Sequence, residues 1–476
     1  MRRKAALSRA PGGRDNAGRF TPPGSVLPLN AREWRVTGAL SAVYAVRMLG
    51  LFAVLPVLAL HARHLPGGSA LAIGLAVGVY GLTQALFQVP FGALSDRYGR
   101  RAVITVGLVL FVAGSVLAAL ATSVPQLIAG RALQGAGAVA GVIMALLADS
   151  TREEVRTRAM ALIGMSIGAS YLLALPLGPL LAGVVGVTGL FHGVAVLGVV
   201  AIALLWLTVP APEHPAPRSD APGGLGRVLR NGALARLNFS IFALHALMTG
   251  FFIMLPQLLH DVLGLPTGAQ GRWYIPLVLI SIAGMVPVLV WAERRRHLRG
   301  GMLVAVTLLA AALGMLGAGQ GPWLLAGAVA VFLTGFNVLE SLLPSLVSRL
   351  APLEGRGAAL GVYSTAQFLG SFAGGAGGGV LYGTWGTVGV IVPGAVLCVL
   401  WLGLLAAWRG PAAWLTRVVR VGTIGPEQAR SLQVRLAALA GVRESVVMAE
   451  AGIAWLKVDR HGFDPASVDR VLAGQA

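Results

Sequence analysis

FGALSDRYGRRAVI, residues 91–104, is a short charged segment between two long apolar stretches. Two glycines allow close approach of the backbone in a tight turn, and an aspartate can accept from a helix N-terminus or a neighbouring arginine. Three arginines are typical of the cytoplasmic side of a membrane. The segment therefore predicts a tight cytoplasmic turn between two transmembrane helices, formed around Gly92, Asp96, Arg97, Gly99, Arg100 and Arg101.

The composition agrees with a membrane protein. Apolar residues make up 56% of the 476 residues and charged residues 12%, whereas soluble domains are about half apolar and a quarter charged. The net charge of +19 is scattered in small groups between apolar stretches, which indicates topology signals and not a nucleic-acid-binding face. The single cysteine, Cys398, excludes a disulfide framework and a cysteine-based metal cluster.

On both sides of the charged segment, apolar stretches are long enough to cross a bilayer. A helix needs about 20 residues to cross a hydrocarbon core roughly 30 Å thick. Twelve stretches, numbered here as spans 1 to 12, meet this requirement: 36–60, 71–94, 102–122, 125–149, 159–183, 188–209, 236–259, 273–292, 301–319, 322–348, 357–382 and 387–408. The sequence TWGTVG is the break between the last two.

The distribution of arginine and lysine predicts the orientation of these spans. If the N-terminus is cytoplasmic, 24 of the 37 basic residues lie in the N-terminal tail and the inner loops, counting Arg236 at the inner end of span 7, and only Arg63 and Arg272 lie in the outer loops. The positive-inside rule therefore predicts that both termini are cytoplasmic. The basic tail is rich in proline and glycine and has no apolar core, so we expect a disordered tail and not a signal peptide.

The fold class that we predict is an all-α membrane protein of twelve transmembrane helices in two six-helix halves, followed by a small α+β domain. The Pro-rich loop near 210–235 divides the spans six and six, and RAMALIG in span 5 echoes RGAALG in span 11. After residue 410 the pattern becomes β-α-β-β-α, as in a ferredoxin-like unit. The expected parts are a disordered basic tail 1–35, bundles 36–209 and 236–410, a cytoplasmic linker 210–235 and a cytoplasmic domain 411–476.

Residues 91–104 match, nearly position for position, the motif between helices 2 and 3 of the major facilitator superfamily, and the chain resembles that family. In span 4, RALQGAGAVA resembles the family's second motif through Arg131 and Gln134. In span 5, ALPLGPLLAG resembles the antiporter motif through Gly178, Pro179 and Gly183, with Ala174 where that motif usually has its first glycine. RMLGLFAVLPVL in span 1 is similar to the drug:proton antiporter branch.

The resemblance implies a proton-driven exporter of the multidrug type, in a bacterial-type inner membrane, that works by alternating access. It also implies that spans 1, 4, 7 and 10 line the cavity, and that the segment Asp96–Arg101 stabilises the outward-open state by pairing across the cytoplasmic side. The strings AVRMLGLFAVLPVL, YGLTQALFQVPFG and GVYSTAQFLG are similar to a bacterial member that carries a C-terminal ferredoxin-like domain.

Ionisable residues inside a membrane are costly and therefore point to function. The candidates for proton coupling are Glu340, His245, Arg47 and Asp149. We expect Glu340 and His245 to exchange protons while Arg47 favours the charged form of a nearby carboxylate. The alternatives are a packing role for His245, backbone hydrogen bonding for Arg131, and a structural latch between Asp149 and Arg97 or Arg156.

Polar and aromatic side chains on the cavity spans are candidates for contact with substrate, although aromatic residues at helical spacing often pack or face lipid. They are Arg131, Gln134, Tyr44, Phe52, Phe242 and Phe336. Glycines 370, 374 and 378, four residues apart in span 11, predict close helix packing. The sequence contains no P-loop, which argues against an ATP-driven pump, and the C-terminal loop GTIGPEQ lacks the cysteine pair of metal-binding domains.

The sequence is compatible with three functions. The first is proton-coupled export of small apolar or cationic compounds, and the second is export of a polar metabolite or sugar, with Arg47 and Gln134 as its ligands. The third is a membrane sensor that signals through the C-terminal domain. We expect small-molecule substrate, protons and the lipid bilayer as partners, a monomer in the membrane, no nucleic acid, no cofactor or metal, and no enzymatic activity.

Overall fold

Between residues 31 and 406, the described part of the chain consists mainly of long helices. The computed structural model describes residues 28–473 apart from 211–223, 296, 320, 353–355, 409, 411–413, 450–451 and 460–461. Within these residues the helices are α1 Ala31–Arg63, α2 Ala70–Tyr98, α3 Arg100–Ala119, α4 Val124–Ala136, α5 Ala140–Ser150, α6 Glu153–Thr208, α7 Gly224–Leu229, α8 Gly232–Leu263, α9 Thr267–Arg294, α10 Leu298–Ala318, α11 Pro322–Leu350 and α12 Arg356–Ala406.

Ten helical stretches in the described part are long and apolar enough to cross a membrane. Two of them, α6 and α12, contain 56 and 51 residues. At about 1.5 Å per residue, each is more than twice as long as one crossing requires. Non-helical dihedral angles at Gly186 and Gly386 divide each into two segments. The described helices thus correspond to the twelve spans that the sequence predicts.

The structure differs from the sequence prediction in three places. Span 4 is not one continuous helix, because α4 ends at Ala136 and α5 begins at Ala140. Gly137, in this break, packs its Cα side against the main chain at Gly107 of α3, where a side chain would not fit. Helix α1 begins five residues before the predicted span, capped by the Asn30 side chain. The predicted linker contains the short helix α7, while its residues 211–223, like tail residues 1–27, lie outside the described residues.

The two six-helix halves meet through glycines on the predicted outer side. A Cβ added to Gly375 of α12 would lie 2.6 Å from the Cα of Gly78 in α2. A Cβ added to Gly268 of α9 would lie 2.9 Å from the Cα of Gly183 in α6. Glycine at such crossings lets two backbones approach closely in lipid, where no hydrophobic effect drives helices together.

The described residues form two compact units. The first contains residues 28–350 and 357–410, and the second contains residues 351–352, 356 and 414–473. The second unit includes a three-stranded antiparallel sheet of β1 Trp414–Arg420, β2 Val442–Met448 and β3 Ile453–Asp459, with β3 in the centre. Helix α13 Pro426–Ala437 follows β1, and helix α14 Pro465–Leu472 follows β3.

Alternate residues of the central strand form the core of this small unit. Ala454, Leu456 and Val458 of β3 are buried with Val419 of β1 and Leu436 of α13. This two-residue period is what a strand with one face toward packed helices requires. The predicted β-α-β-β-α order, with β1 and β2 both antiparallel to the strand between them, is confirmed.

Candidate functional site

A partly buried pair of titratable groups in the second half joins Glu340 of α11 and His245 of α8. His245 Nε2 lies 3.9 Å from Glu340 Oε2. Among the described residues, Glu340 Oε2 is buried without a hydrogen-bond partner, although 29% of its side chain is exposed. The structure therefore places the two residues that the sequence proposed for proton exchange next to each other.

Gln367 of α12 completes this group. The Gln367 side-chain amide nitrogen lies 2.8 Å from His245 Nε2, and His245 Nδ1 lies 3.2 Å from the main-chain oxygen of Ile241. A neutral imidazole satisfies both contacts if Nδ1–H donates to Ile241 and Nε2 accepts from Gln367. The amide of Gln367 thus holds one tautomer of His245 and leaves Glu340 on the same side of the ring.

Two glycines of α12 bring Gln367 to this position. Gly370 packs against the main chain at Phe242, about one turn before His245, and Gly374 packs against the main chain at Ala246, the residue after it. The close helix packing that the sequence predicted for these glycines is therefore what places α12 within hydrogen-bond distance of the histidine.

Aromatic rings from both halves lie beside this group. The Tyr171 ring of α6 is 5.1 Å from the Phe52 ring of α1 and 5.0 Å from the Phe336 ring of α11, and Phe336 is 5.8 Å from the His245 ring. The hydroxyls of Tyr171 and Tyr363 are buried without described hydrogen-bond partners, and both lie within electrostatic reach of Glu340. The rings and hydroxyls surround a carboxylate at the junction of the halves.

Arg47 of α1 lies in the first half, and its guanidinium is 1% exposed. Its Nη2 donates to the Tyr80 hydroxyl of α2 at 3.0 Å and to the Gln84 side-chain oxygen of the same helix. No described carboxylate lies within 4.0 Å of Arg47. The described hydrogen-bond partners of Arg47 are thus neutral groups of α2, and its expected effect on a nearby carboxylate stays a prediction.

Arg131 of α4 is the second buried arginine of the first half. It donates to the Gln134 side-chain oxygen, and Gln134 in turn donates to Ser115 Oγ of α3 at 2.8 Å. The Arg131 guanidinium carbon lies 4.9 Å from the centre of the Tyr80 ring. The described partners of Arg131 are side chains and not the main chain that one interpretation proposed, and Tyr80 contacts both buried arginines.

The charged segment 91–104 forms a network inside the first half. Gly99, with a φ of 91°, ends α2 and starts α3, a left-handed conformation that favours glycine. Arg100 contacts Asp96 and Ser95, and its Nε lies 3.1 Å from Asp149 Oδ2. The expected latch of Asp149 with Arg97 or Arg156 is therefore wrong, since Arg100 is the described partner.

The remaining members of the predicted sites lie apart from the groups around Glu340, Arg47 and Arg131. Gly178 packs against the main chain at Ala53 of α1, and Pro179 lies within the same helix α6. The Cα side of Gly92 faces open space. The guanidinium of Arg101 stacks 4.3 Å from the ring centre of Trp206. Phe242 is partly buried, and the structure gives its ring no described contact with the aromatic group at Glu340.

Sequence reasoning missed Gln367, Tyr171, Tyr363 and Gln84. Three of these lie on spans 5 and 11, which the family pattern does not assign to the cavity. The available signal was their polarity in otherwise apolar spans, which is costly in lipid unless the groups face a partner or a cavity.

The amino-acid sequence is similar to those of known membrane transport proteins. Residues 40–375 match the profile of the Major Facilitator Superfamily. The inner membrane transport protein YajR of Escherichia coli (strain K12) is 40% identical over 432 residues, which cover 90% of this chain and 94% of that protein. The multidrug resistance protein MdtH of Aeromonas hydrophila is 28% identical over 344 residues, covering 70% of this chain and 84% of that protein.

A solved structure supports the fold. A bacterial homologue of the human lysosomal transporter Spinster, in an inward-facing and unoccupied conformation, superposes with a TM-score of 0.64. The superposition covers 80% of this chain and 96% of that one at 15% sequence identity, a level at which the likeness concerns the fold alone. With two thirds of its length matched by the family profile, the chain belongs to the major facilitator superfamily of membrane transporters.

Proposed function

We propose that the protein exports small apolar or cationic compounds in exchange for protons, by alternating access. The observation that carries this proposal is the 3.9 Å contact between Glu340 Oε2 and His245 Nε2 at the junction of the two halves. A small side-chain movement or one bridging water would bring these two titratable groups within reach for proton transfer. An intramembrane carboxylate and imidazole are costly unless they serve function.

The surroundings of Glu340 suit competition between a proton and a substrate. A carboxylate that lacks a hydrogen bond is costly in its charged form, so either a proton or a cationic substrate relieves that cost. Phe52, Tyr171 and Phe336 supply aromatic faces, which attract cations and apolar groups. If the proton and the substrate cannot occupy Glu340 together, the binding of one releases the other, which is the requirement for antiport.

The glycine contacts on the predicted outer side support alternating access. Gly78 with Gly375 and Gly183 with Gly268 join the halves there, so these contacts must separate when the outer side opens. We also propose that the network of Asp96, Arg100 and Asp149 takes part in closing the cytoplasmic side when the outer side is open.

The setting of the protein follows from the same proposal. The relationship to an inner membrane protein and the basic inner loops favour a bacterial-type inner membrane with both termini cytoplasmic. We propose that the protein functions as a monomer, since each half supplies part of the group at Glu340.

The test is proton movement in proteoliposomes that contain the full-length protein. A pH gradient is imposed, a panel of lipophilic cations is added singly, and the internal pH is followed with a fluorescent dye. The proposal predicts a cation-dependent proton flux that vanishes in protein-free liposomes. No flux with any compound of the panel would contradict it.

A second candidate function is export of a polar metabolite. The buried polar group of Arg47, Gln84, Arg131 and Gln134 in the first half favours it. In that case polar solutes would raise the thermal unfolding temperature of the purified protein, and lipophilic cations would not.

A further inference from the structure

Two buried arginines in the first half lack a negatively charged partner. Arg47 and Arg131 are each 1% exposed, and no described carboxylate lies within 4.0 Å of either guanidinium. Their described partners, Tyr80, Gln84 and Gln134, are all neutral. The first half therefore holds two positive charges in its interior, and both contact Tyr80.

Such an arrangement is unfavourable as it stands. Removing an ion from water costs several kcal/mol even after relaxation, and neutral hydrogen bonds offset only part of that cost. Two like charges near one residue in a medium of low dielectric constant also repel one another. Arginine keeps its charge under these conditions, so it cannot relieve the cost by losing a proton.

Several donors of this group are also unpaired. Nε and Nη1 of Arg47, Nε of Arg131 and Nε2 of Gln84 are buried without a hydrogen-bond partner in the described part of the protein. Buried polar groups of folded proteins are nearly always satisfied, so unpaired donors in one place point to an absent acceptor. Every one of these atoms is a hydrogen-bond donor, so the missing partner is an acceptor. Three of the four atoms belong to the cationic side chains of Arg47 and Arg131, so we infer that the acceptor is negatively charged.

We propose that the unpaired donors around Arg47, between α1, α2 and α4, bind an anion. The ligand is either a small inorganic anion such as chloride or the carboxylate group of an organic molecule. It would accept from the Nε and Nη1 side of Arg47 and from the Gln84 amide, and it would lie within the field of Arg131.

The site lies in the interior of the first half and not at its exposed surface, since Arg47 and Arg131 are buried. Tyr44, one turn before Arg47 on α1, is partly buried. Glu340 itself pairs with His245 in this structure, which leaves the arginines for another anion.

This anion site is independent of proton exchange. Binding at Arg47 would persist in a protein that moves no protons, and proton antiport at Glu340 would persist if Arg47 bound nothing. The result of an anion-binding measurement is therefore independent of the result of the proton-flux measurement in proteoliposomes.

The test measures thermal unfolding of the full-length protein in lipid nanodiscs against increasing sodium chloride or sodium benzoate. The variants are Arg47→Gln, Arg47→Lys and, as a matched control, Arg272→Gln, which removes an exposed arginine at the other end of the bundle. Ionic strength acts on all variants alike, so a difference between variants in the rise of unfolding temperature reports anion binding at Arg47.

We expect a saturable rise in unfolding temperature for the wild type and for Arg272→Gln. For Arg47→Gln we expect the half-saturating concentration to increase about tenfold or more, since a charge-assisted hydrogen bond is lost, and for Arg47→Lys we expect a smaller increase. A response to chloride identifies an inorganic anion, and a response to benzoate alone identifies a carboxylate on an organic ligand. An equal response in the wild type and Arg47→Gln, or no response, would overturn the proposal.

A second measurement needs no variant and covers the case in which Arg47→Gln fails to fold. Crystals of the wild type are soaked in bromide or 4-bromobenzoate, and bromine is located by its anomalous scattering. A peak beside the Arg47 guanidinium supports the proposal. Peaks only elsewhere, or none, would overturn it.

Discussion

At the scale of single residues, the orientation of His245 depends on Gln367. The amide at 2.8 Å from Nε2 and the carbonyl of Ile241 at 3.2 Å from Nδ1 select one neutral tautomer. That tautomer leaves Nε2, the nitrogen nearest to Glu340, without a proton, so His245 can accept a proton from the carboxyl group when the Gln367 amide gives up its hydrogen bond to Nε2.

Replacing Gln367 with leucine should therefore impair proton-driven transport. The Gln367→Leu variant removes the donor to Nε2 and lets the imidazole rotate. We expect the rate of gradient-driven transport to fall about tenfold, because one hydrogen bond to a group that becomes charged contributes about that factor. The rate in proteoliposomes is normalised to reconstituted protein. Gln88→Leu, on α2 in the other half, is the control, and an equal loss in both variants would contradict a positioning role.

Residue identity alone predicts part of this group. Glu340 and His245 were predictable because an ionisable residue in an apolar span is conspicuous and costly. Gln367 was not predictable, because its approach to His245 depends on how closely Gly370 and Gly374 let α12 pack against α8. The surroundings of Arg47 were not predictable for the same reason. Its charge is evident from the sequence, but its neutral partners Tyr80 and Gln84 come from a neighbouring helix.

At the scale of elements, the crossing of α2 with the first segment of α12 decides how the outer side closes. Gly74 and Gly78 lie against Gly375 and Gly379 with no room for a side chain between the backbones. Two helices that meet this closely can also separate cleanly, because few side chains interlock.

A leucine at Gly375 should prevent this closure. Its Cβ would lie 2.6 Å from the Cα of Gly78, and overpacking of this kind typically costs about 1–3 kcal/mol. We expect Gly375→Leu to lower the transport rate about tenfold and to favour the outward-open state. Labelling of a Phe52→Cys reporter by an impermeant thiol reagent in intact cells, with Cys398→Ala as background, should increase.

Gly377 provides the matched control for this experiment. It lies two residues further along the same helix, and an added Cβ there meets no atom within 4 Å. Gly377→Leu should therefore leave the transport rate and the labelling close to those of the wild type. If both variants behave alike, helix propensity and not the crossing explains the result.

Elements with strong local signals were predictable, and those set by neighbours were not. The turn at 91–104 and the β-α-β-β-α order follow from contiguous patterns of charge, glycine and alternating apolar residues. The break between α4 and α5 was missed because it depends on the main chain of α3 at Gly107. A continuous apolar stretch carries no sign of such a contact.

At the scale of the whole molecule, charge is divided between the halves. The interior of the first half carries Arg47 and Arg131, and that of the second carries Glu340 and His245. Under the proposals made above, anion binding belongs to one half and proton binding to the other, and the rings of Phe52, Tyr171 and Phe336 join the two halves.

The C-terminal unit should be dispensable for transport. Its sheet and two helices have their own core, formed by residues such as Leu436, Leu456 and Val468. We expect deletion of residues 411–476 to leave the gradient-driven transport rate per protein within about twofold of the full-length chain, a difference of less than 1 kcal/mol in barrier. Complete loss of transport from a protein that still folds in the membrane would contradict this expectation.

The most direct test of proton coupling compares two reactions of Glu340→Gln in proteoliposomes: transport driven by a pH gradient, and exchange of labelled for unlabelled substrate without a gradient. Exchange needs only substrate binding and alternating access, whereas gradient-driven transport also needs the proton. Glu293→Gln, which alters an exposed carboxylate paired with Arg349 at 3.7 Å, is the control. We predict that Glu340→Gln loses gradient-driven transport and keeps exchange of an uncharged apolar substrate, which does not need the Glu340 charge, while Glu293→Gln keeps both. Full gradient-driven transport in Glu340→Gln would contradict the assignment of proton coupling to this site.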